Sequence, residues 1–137
     1  MKHLIFKNDL FFLSDDADKK NGQSRSVTGY NASTISKTNM PHQYFNNKIV
    51  IYGRYTCPYC NGILEFFKSK PLLNKKMIFV NIEEEPSKFF NKTNLLNILI
   101  SNEKTFNKKH STVPIVFDKG KFIGGSDDSK IYFGEDN

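Results

Sequence analysis

The run Ile49-Val50-Ile51-Tyr52-Gly53-Arg54-Tyr55-Thr56-Cys57-Pro58-Tyr59-Cys60 carries both cysteines of this 137-residue chain. A short apolar stretch ends, two thiols follow at two residues' separation, and an apolar-periodic segment begins, so the pair stands where a strand passes into a helix. At a helix N-terminus the Cys57 sulfur faces backbone N–H groups that have no intrahelical acceptor, together with the positive end of the helix dipole. Both favour thiolate over thiol. Cys60 falls one turn further in on the same face, within reach of a mixed disulfide on Cys57. The spacing therefore makes Cys57 the attacking sulfur and Cys60 the resolving one. Pro58 suits the first helical turn, where its missing N–H costs nothing and its fixed φ helps set the turn.

Other uses of two cysteines fit less well. A closed zinc site wants four ligands, and the chain offers no second cysteine pair and only His3, His42 and His110, none at ligand spacing. A static disulfide across so short a loop gains little from closure entropy. The hydrophobic fraction of 38% and aromatic fraction of 14% are sufficient for one core. No apolar stretch is long enough to span a membrane, and Met1 to Asp9 lacks a signal-peptide core, so the expected setting is cytoplasmic, where a cysteine pair reads as catalytic before structural. The net charge of +6 invites a nucleic-acid reading. The lysines, however, are scattered (Lys19, Lys20, Lys75, Lys76, Lys108, Lys109) and interrupted by Glu83-Glu84-Glu85, with no basic stripe interleaved with aromatic residues. They read as solvated surface, and neither nucleic acid nor membrane is expected as a partner.

The chain divides near residue 47. Residues 1–47 read as an N-terminal extension, largely disordered or loosely docked, because Ser14 to Asn39 is dominated by small polar residues. Leu4-Ile5-Phe6 and Leu10-Phe11-Phe12-Leu13 stand out in it as segments able to dock as a short strand or helix, or to bind a partner. Residues 48–137 are regular. Lys48 to Tyr52 reads as a buried strand, Pro58 to about Lys70 as a helix with Ile63, Leu64, Phe66 and Phe67 on its core face, and Met77 to Ile82 as a second strand. Pro86 opens a helical region through Phe89, Phe90, Leu95, Leu96, Ile98, Leu99 and Ile100. Ile115-Val116-Phe117 and Phe122-Ile123 flank Asp118-Lys119-Gly120-Lys121 as a hairpin. The closing tail is short and helical. A parallel βαβ unit followed by an antiparallel hairpin predicts a mixed sheet.

With these segments in place, residues 48 to 130 resemble the glutaredoxin family of the thioredoxin fold. Four separated signals in order carry the resemblance: Arg54-Tyr55-Thr56-Cys57-Pro58-Tyr59-Cys60, Thr112-Val113-Pro114, Phe117-Asp118-Lys119-Gly120-Lys121-Phe122-Ile123, and Gly124-Gly125-Ser126-Asp127-Asp128. Cys-Pro-Tyr-Cys is similar to the active-site sequence of dithiol members. The implied fold is α/β and thioredoxin-like, a four-stranded mixed sheet flanked by helices. The resemblance also implies a cis peptide before Pro114, which turns the Val113 backbone toward the cysteinyl part of glutathione, with Thr112, Val113 and Pro114 forming that wall. Gly125 and the backbone N–H groups of Ser126 and Asp127 are implied to take the γ-glutamyl carboxylate, which suits a helix N-terminus. Asp127 or Asp128 would meet the ammonium group. Arg54 is implied to pair with the glycyl carboxylate and to assist the thiolate, and Tyr59 to form groove wall.

The resemblance thus implies a glutathione-dependent thiol–disulfide oxidoreductase in which Cys57 and Cys60 reduce protein disulfides and glutathione mixed disulfides. Glutathione would be reductant and co-substrate, no metal is expected, and the enzyme would act as a monomer on glutathionylated or disulfide-bonded proteins. One alternative is a thioredoxin-like reductase regenerated by a flavoprotein. Against it stand Thr56 before Cys57 and the absence of tryptophan. Another is an iron–sulfur cluster protein, against which Pro58 and Tyr59 count; a third is a non-catalytic adaptor working through the N-terminal apolar segments. The chain departs from the family in having Ser111, where a basic residue commonly precedes Thr-Val-Pro, with Lys108 or Lys109 as candidate replacements. It departs again in the length of Ser101 to Ser111.

Overall fold

Ile49 to Gly53 form the strand expected from the apolar run, and all five residues are buried. The computed structural model describes residues 1–15, 24–83 and 91–134. In chain order the strands are β1 (Lys2–Lys7), β2 (Leu10–Ser14), β3 (Ser24–Asn31), β4 (Ile49–Gly53), β5 (Met77–Asn81), β6 (Ile115–Asp118) and β7 (Lys121–Gly124). The helices are α1 (Pro41–Tyr44), α2 (Pro58–Lys68), α3 (Pro71–Asn74), α4 (Lys92–Asn102) and α5 (Ser126–Gly134), with a 3-10 turn at Ala32–Thr34. β4 pairs in parallel with β5 and antiparallel with β6, and β6 turns back into β7, so the sheet is mixed as predicted.

Successive strand residues point to opposite faces, and β4 feeds two cores. Val50 and Tyr52 pack with Leu95, Ile98 and Leu99 of α4, whereas Ile49 and Ile51 pack with Ile63, Leu64 and Phe67 of α2 and Phe133 of α5. The i, i+3, i+4 spacing of the three α4 residues places them on one stripe of that helix. Asn91 caps α4 by accepting the Thr93 N–H at 2.9 Å. Pro86, Phe89 and Phe90, read from sequence as the start of this helical region, lie outside the described residues.

The expected four strands are present as β5-β4-β6-β7, but the sheet has seven, in the order β3-β2-β1-β5-β4-β6-β7. The three additional strands come from the N-terminal extension. β1 lies parallel to β5, with His3 opposite Phe79 and Leu4 opposite Val80, and forms an antiparallel hairpin with β2. Asn8 and Asp9, at φ 52° and 64°, make the two-residue turn that matches strand twist in a hairpin. β3 then pairs with β2. Leu4, Phe11, Val27, Tyr30, Ile35 and Met40 are buried in the core that also holds α4. In its described part, then, the extension is neither disordered nor loosely docked. Leu4, Phe6, Phe11 and Leu13 alternate onto the sheet face that meets this core, and averaged composition hides that pattern. Residues 16–23 lie outside the described residues.

The link from the extension to β4 is fastened by a buried polar network. His42, 1% exposed, stacks on Phe117 at 4.0 Å between ring centroids. Its Nδ1 lies 2.7 Å from the Tyr52 hydroxyl and its Nε2 2.7 Å from a Glu103 carboxylate oxygen. Gln43 Nε2 donates to the same oxygen at 2.8 Å. One network thereby ties α1, β4 and the end of α4 together.

Candidate active site

Cys57 is the N-cap residue of α2, with extended backbone at φ −92° and ψ 124°, and Pro58 follows at the first helical position. Its carbonyl accepts the Asn61 N–H at 3.0 Å, which starts the helix. Cys60 is fully buried one turn in, and both cysteines are free thiols. Gly53 makes this packing possible: a Cβ there would lie 2.8 Å from the Cys60 sulfur and 3.0 Å from the Phe79 ring. The Arg54 N–H points at the Cys60 sulfur from 3.4 Å.

The two sulfurs have opposed acidities. Desolvation is the largest single influence on Cys57 and pushes its pKa up. It is outweighed by hydrogen bonds from the Cys60 N–H, the Cys60 thiol and the Tyr59 N–H, with the Arg54 guanidinium nearby, and the net shift is downward. Burial pushes Cys60 up to about 12, only partly offset by the Arg54 N–H, and the neighbouring Cys57 adds to the rise. The thiolate is favoured at Cys57 while Cys60 is held protonated. Titrating the alkylation rate should accordingly reveal a single reactive cysteine. Its reactivity should rise with pH through a midpoint below the ordinary thiol value of 9.0, with Cys60 unmodified throughout the neutral range. Mass mapping of the modified residue checks this, and modification of Cys60 before Cys57 is the contrary result.

A groove of about 400 Å³ runs beside Cys57. Tyr59 lines one side, Thr112, Val113 and Pro114 form a wall, and Gly125, Ser126, Asp127 and Asp128 close the end at the start of α5. The Val113–Pro114 peptide is cis. Cys57 Sγ lies 3.9 Å from the Val113 carbonyl oxygen, which sets the thiol at the rim. Gly124 enters α5 at φ +146°, a conformation open to glycine, and a Cβ there would collide with Asp128 at 2.6 Å. The end of the groove pairs the N-terminal N–H groups of a nine-residue helix with two exposed carboxylates. That arrangement suits a ligand carrying both a carboxylate and an ammonium group.

The chain is 40% identical over 78 residues to a probable glutaredoxin of Acanthamoeba polyphaga mimivirus, an alignment that spans 56% of this chain and 68% of that relative. This chain belongs to the glutaredoxin family. The solution structure of a dithiolic glutaredoxin from Trypanosoma brucei brucei superposes with a TM-score of 0.51 at 25% identity, covering 72% of this chain and 90% of the other. No protein-family model matches the chain. The fold is thioredoxin-like, and this glutaredoxin is a thiol oxidoreductase.

Eight of the residues picked out from sequence line the groove of this glutaredoxin together: Tyr59, Thr112, Val113, Pro114, Gly125, Ser126, Asp127 and Asp128. Arg54 does not line it and sits beside the thiols, where its buried Nε meets no hydrogen-bond partner among the described residues. Lys108 and Lys109 are exposed and also lie off the groove. The lining residue that sequence reading passed over is His110. Its ring packs against Phe122 and Phe106 at 5.3 and 6.1 Å between centroids and lies 3.2 Å from where a Gly125 Cβ would stand. A positive charge near Thr112 is expected from Lys108 or Lys109, whereas the ring contacts that draw His110 inward come from Phe106 in the same loop and from Phe122 on β7, and the latter pairing is set by the fold.

Proposed function

We propose that this glutaredoxin is a glutathione-dependent thiol–disulfide oxidoreductase that reduces glutathione mixed disulfides and protein disulfides. The observation that carries the proposal is a lowered-pKa thiol at the rim of a groove whose end offers helix N–H groups beside two carboxylates. In this reading the γ-glutamyl carboxylate sits on the N–H groups of Ser126 and Asp127, and Asp127 or Asp128 meets the ammonium. The cysteinyl backbone pairs with Val113, which directs the glutathione sulfur toward Cys57. Arg54, placed off the groove, serves the thiols as a counter-charge.

For a glutathionylated protein, the Cys57 thiolate attacks the glutathione sulfur. The S–S bond breaks, and the protein sulfur leaves as a thiolate that takes a proton from water. A second glutathione thiolate attacks the mixed disulfide, forming oxidised glutathione and restoring the Cys57 thiolate. For a protein disulfide, Cys57 attacks one sulfur and Cys60 displaces the reduced protein, leaving a Cys57–Cys60 disulfide that two glutathiones reduce. Cys60 must lose its proton for this step. Capping Cys57 in the mixed disulfide removes the neighbouring negative charge that helps hold the Cys60 proton in place.

The test is turnover of a small glutathione mixed disulfide coupled to NADPH through glutathione reductase. Saturable dependence on glutathione is expected. Turnover sustained by thioredoxin reductase, with glutathione unable to replace it, contradicts the proposal.

A further inference from the structure

We propose that His3, on the first strand of the N-terminal extension, is a positioning residue for the active-site thiol: its imidazole holds Tyr55 and, through it, the Arg54–Thr56 loop that delivers Cys57. His3 is only 6% exposed and stands opposite Phe79 in the β1–β5 register. Its Nδ1 hydrogen-bonds the Tyr55 hydroxyl. The three rings form one cluster, with centroids 5.6 Å apart for His3–Tyr55, 5.8 Å for His3–Phe79 and 4.9 Å for Tyr55–Phe79. Tyr55 is therefore held by its ring and its hydroxyl at once.

From Tyr55 the restraint passes to the sulfur in two short steps. The Tyr55 carbonyl accepts a hydrogen bond from Asn61 Nδ2 at 3.0 Å, which fastens the loop to α2. The Cys57 N–H donates to the Arg54 carbonyl at 3.3 Å, which closes the turn around Tyr55 and Thr56. Arg54 and Cys57 are the two ends of that turn, so their separation depends on where Tyr55 is kept. Thiol–disulfide exchange needs the sulfur, its counter-charge and the incoming disulfide aligned to a fraction of an ångström. His3 touches neither sulfur and acts only through this loop. The extension thus does more than widen the sheet, because it supplies the restraint from outside residues 48 to 130, the part that resembles the family.

The full chain is compared with His3→Phe, which keeps a ring on Phe79 and Tyr55 without the hydrogen bond, with Tyr55→Phe, which removes a single oxygen, and with the double variant. The readout is the rate of iodoacetamide alkylation of Cys57 against pH, assigned by mass spectrometry, so that it is independent of glutathione. Each single variant should alkylate about threefold more slowly at pH 6 and shift its profile to higher pH, in keeping with a smaller thiolate fraction. The double variant should lose nothing further, since both changes remove one interaction. His3→Asn, whose amide reaches the position of Nδ1, should recover most of the rate. Profiles that superimpose on the unaltered protein overturn the proposal, and so do losses that multiply in the double variant. If His3→Phe fails to fold, Tyr55→Phe decides the matter by itself.

Discussion

Cys57→Ser should abolish thiol–disulfide exchange, by at least about a thousandfold, while Cys60→Ser should separate two activities that the native pair combines. A serine hydroxyl at position 57 stays protonated at neutral pH and cannot serve as a comparable leaving group, so neither a small mixed disulfide nor a protein disulfide would be reduced. Cys60→Ser leaves intact the groove and the Tyr59 and Cys60 backbone N–H groups that lower the Cys57 pKa. It does remove the Cys60 thiol, one of the donors to Cys57, and a modest rise in the alkylation midpoint is expected with it. Reduction of a small mixed disulfide should persist, whereas reduction of a protein disulfide should stall at the covalent intermediate. Trapping of that intermediate on Cys57, seen by non-reducing electrophoresis, checks the assignment. A Cys57→Ser protein that still reduced either substrate would falsify the roles given to both sulfurs.

His42→Ala should be the most damaging substitution away from the thiols, at about 3 kcal/mol, which for a domain of this size lowers the melting temperature by roughly 10 °C. The His42 backbone N–H donates to the Tyr52 hydroxyl oxygen at 3.1 Å, and the hydroxyl hydrogen then serves Nδ1, leaving Nε2–H for Glu103. Truncation leaves the hydroxyl hydrogen of a fully buried tyrosine without its Nδ1 acceptor, takes a donor from Glu103, and opens a cavity against Phe117. Urea unfolding measures the loss, and an unchanged midpoint is the contrary outcome. Acid should erode the same network. The hydrogen bond from His42 is the first cause holding the Glu103 carboxyl below its ordinary value of 4.5, with burial opposing. A carboxyl with a depressed folded-state pKa contributes stability that is complete above its unfolded value and is lost as pH falls through the folded one. The stability gap between the native chain and Glu103→Gln should therefore be fullest above pH 4.5 and close as the solution becomes more acid.

The strands and helices around Cys57 were legible because each has a local signature. The run before Arg54, the proline at the first position of α2 and the Asp118–Lys121 turn report backbone conformation from neighbouring residues alone. The extension was misread for an equally physical reason. Leu4, Phe11, Val27 and Tyr30 are few and widely spaced, and their burial depends on β1 finding the edge of β5, an event that no local window contains. The turn at Asn8-Asp9 was a local signal for the hairpin, but a hairpin alone does not name the sheet it joins.

Residue type and spacing alone carried the reading of the cysteine pair, with Cys57 expected to attack and Cys60 to resolve. The wall and end of the groove were legible only through the resemblance of Thr112-Val113-Pro114 and Gly124-Gly125-Ser126-Asp127-Asp128 to the glutaredoxin family. Only the tertiary structure decided which side chains meet across the sheet. It put His110 rather than a lysine in the groove, moved Arg54 off it, and brought His3 to Tyr55 across 52 residues of chain. Contacts of that kind are selected by packing geometry and burial among elements far apart in the chain, and no local pattern encodes them.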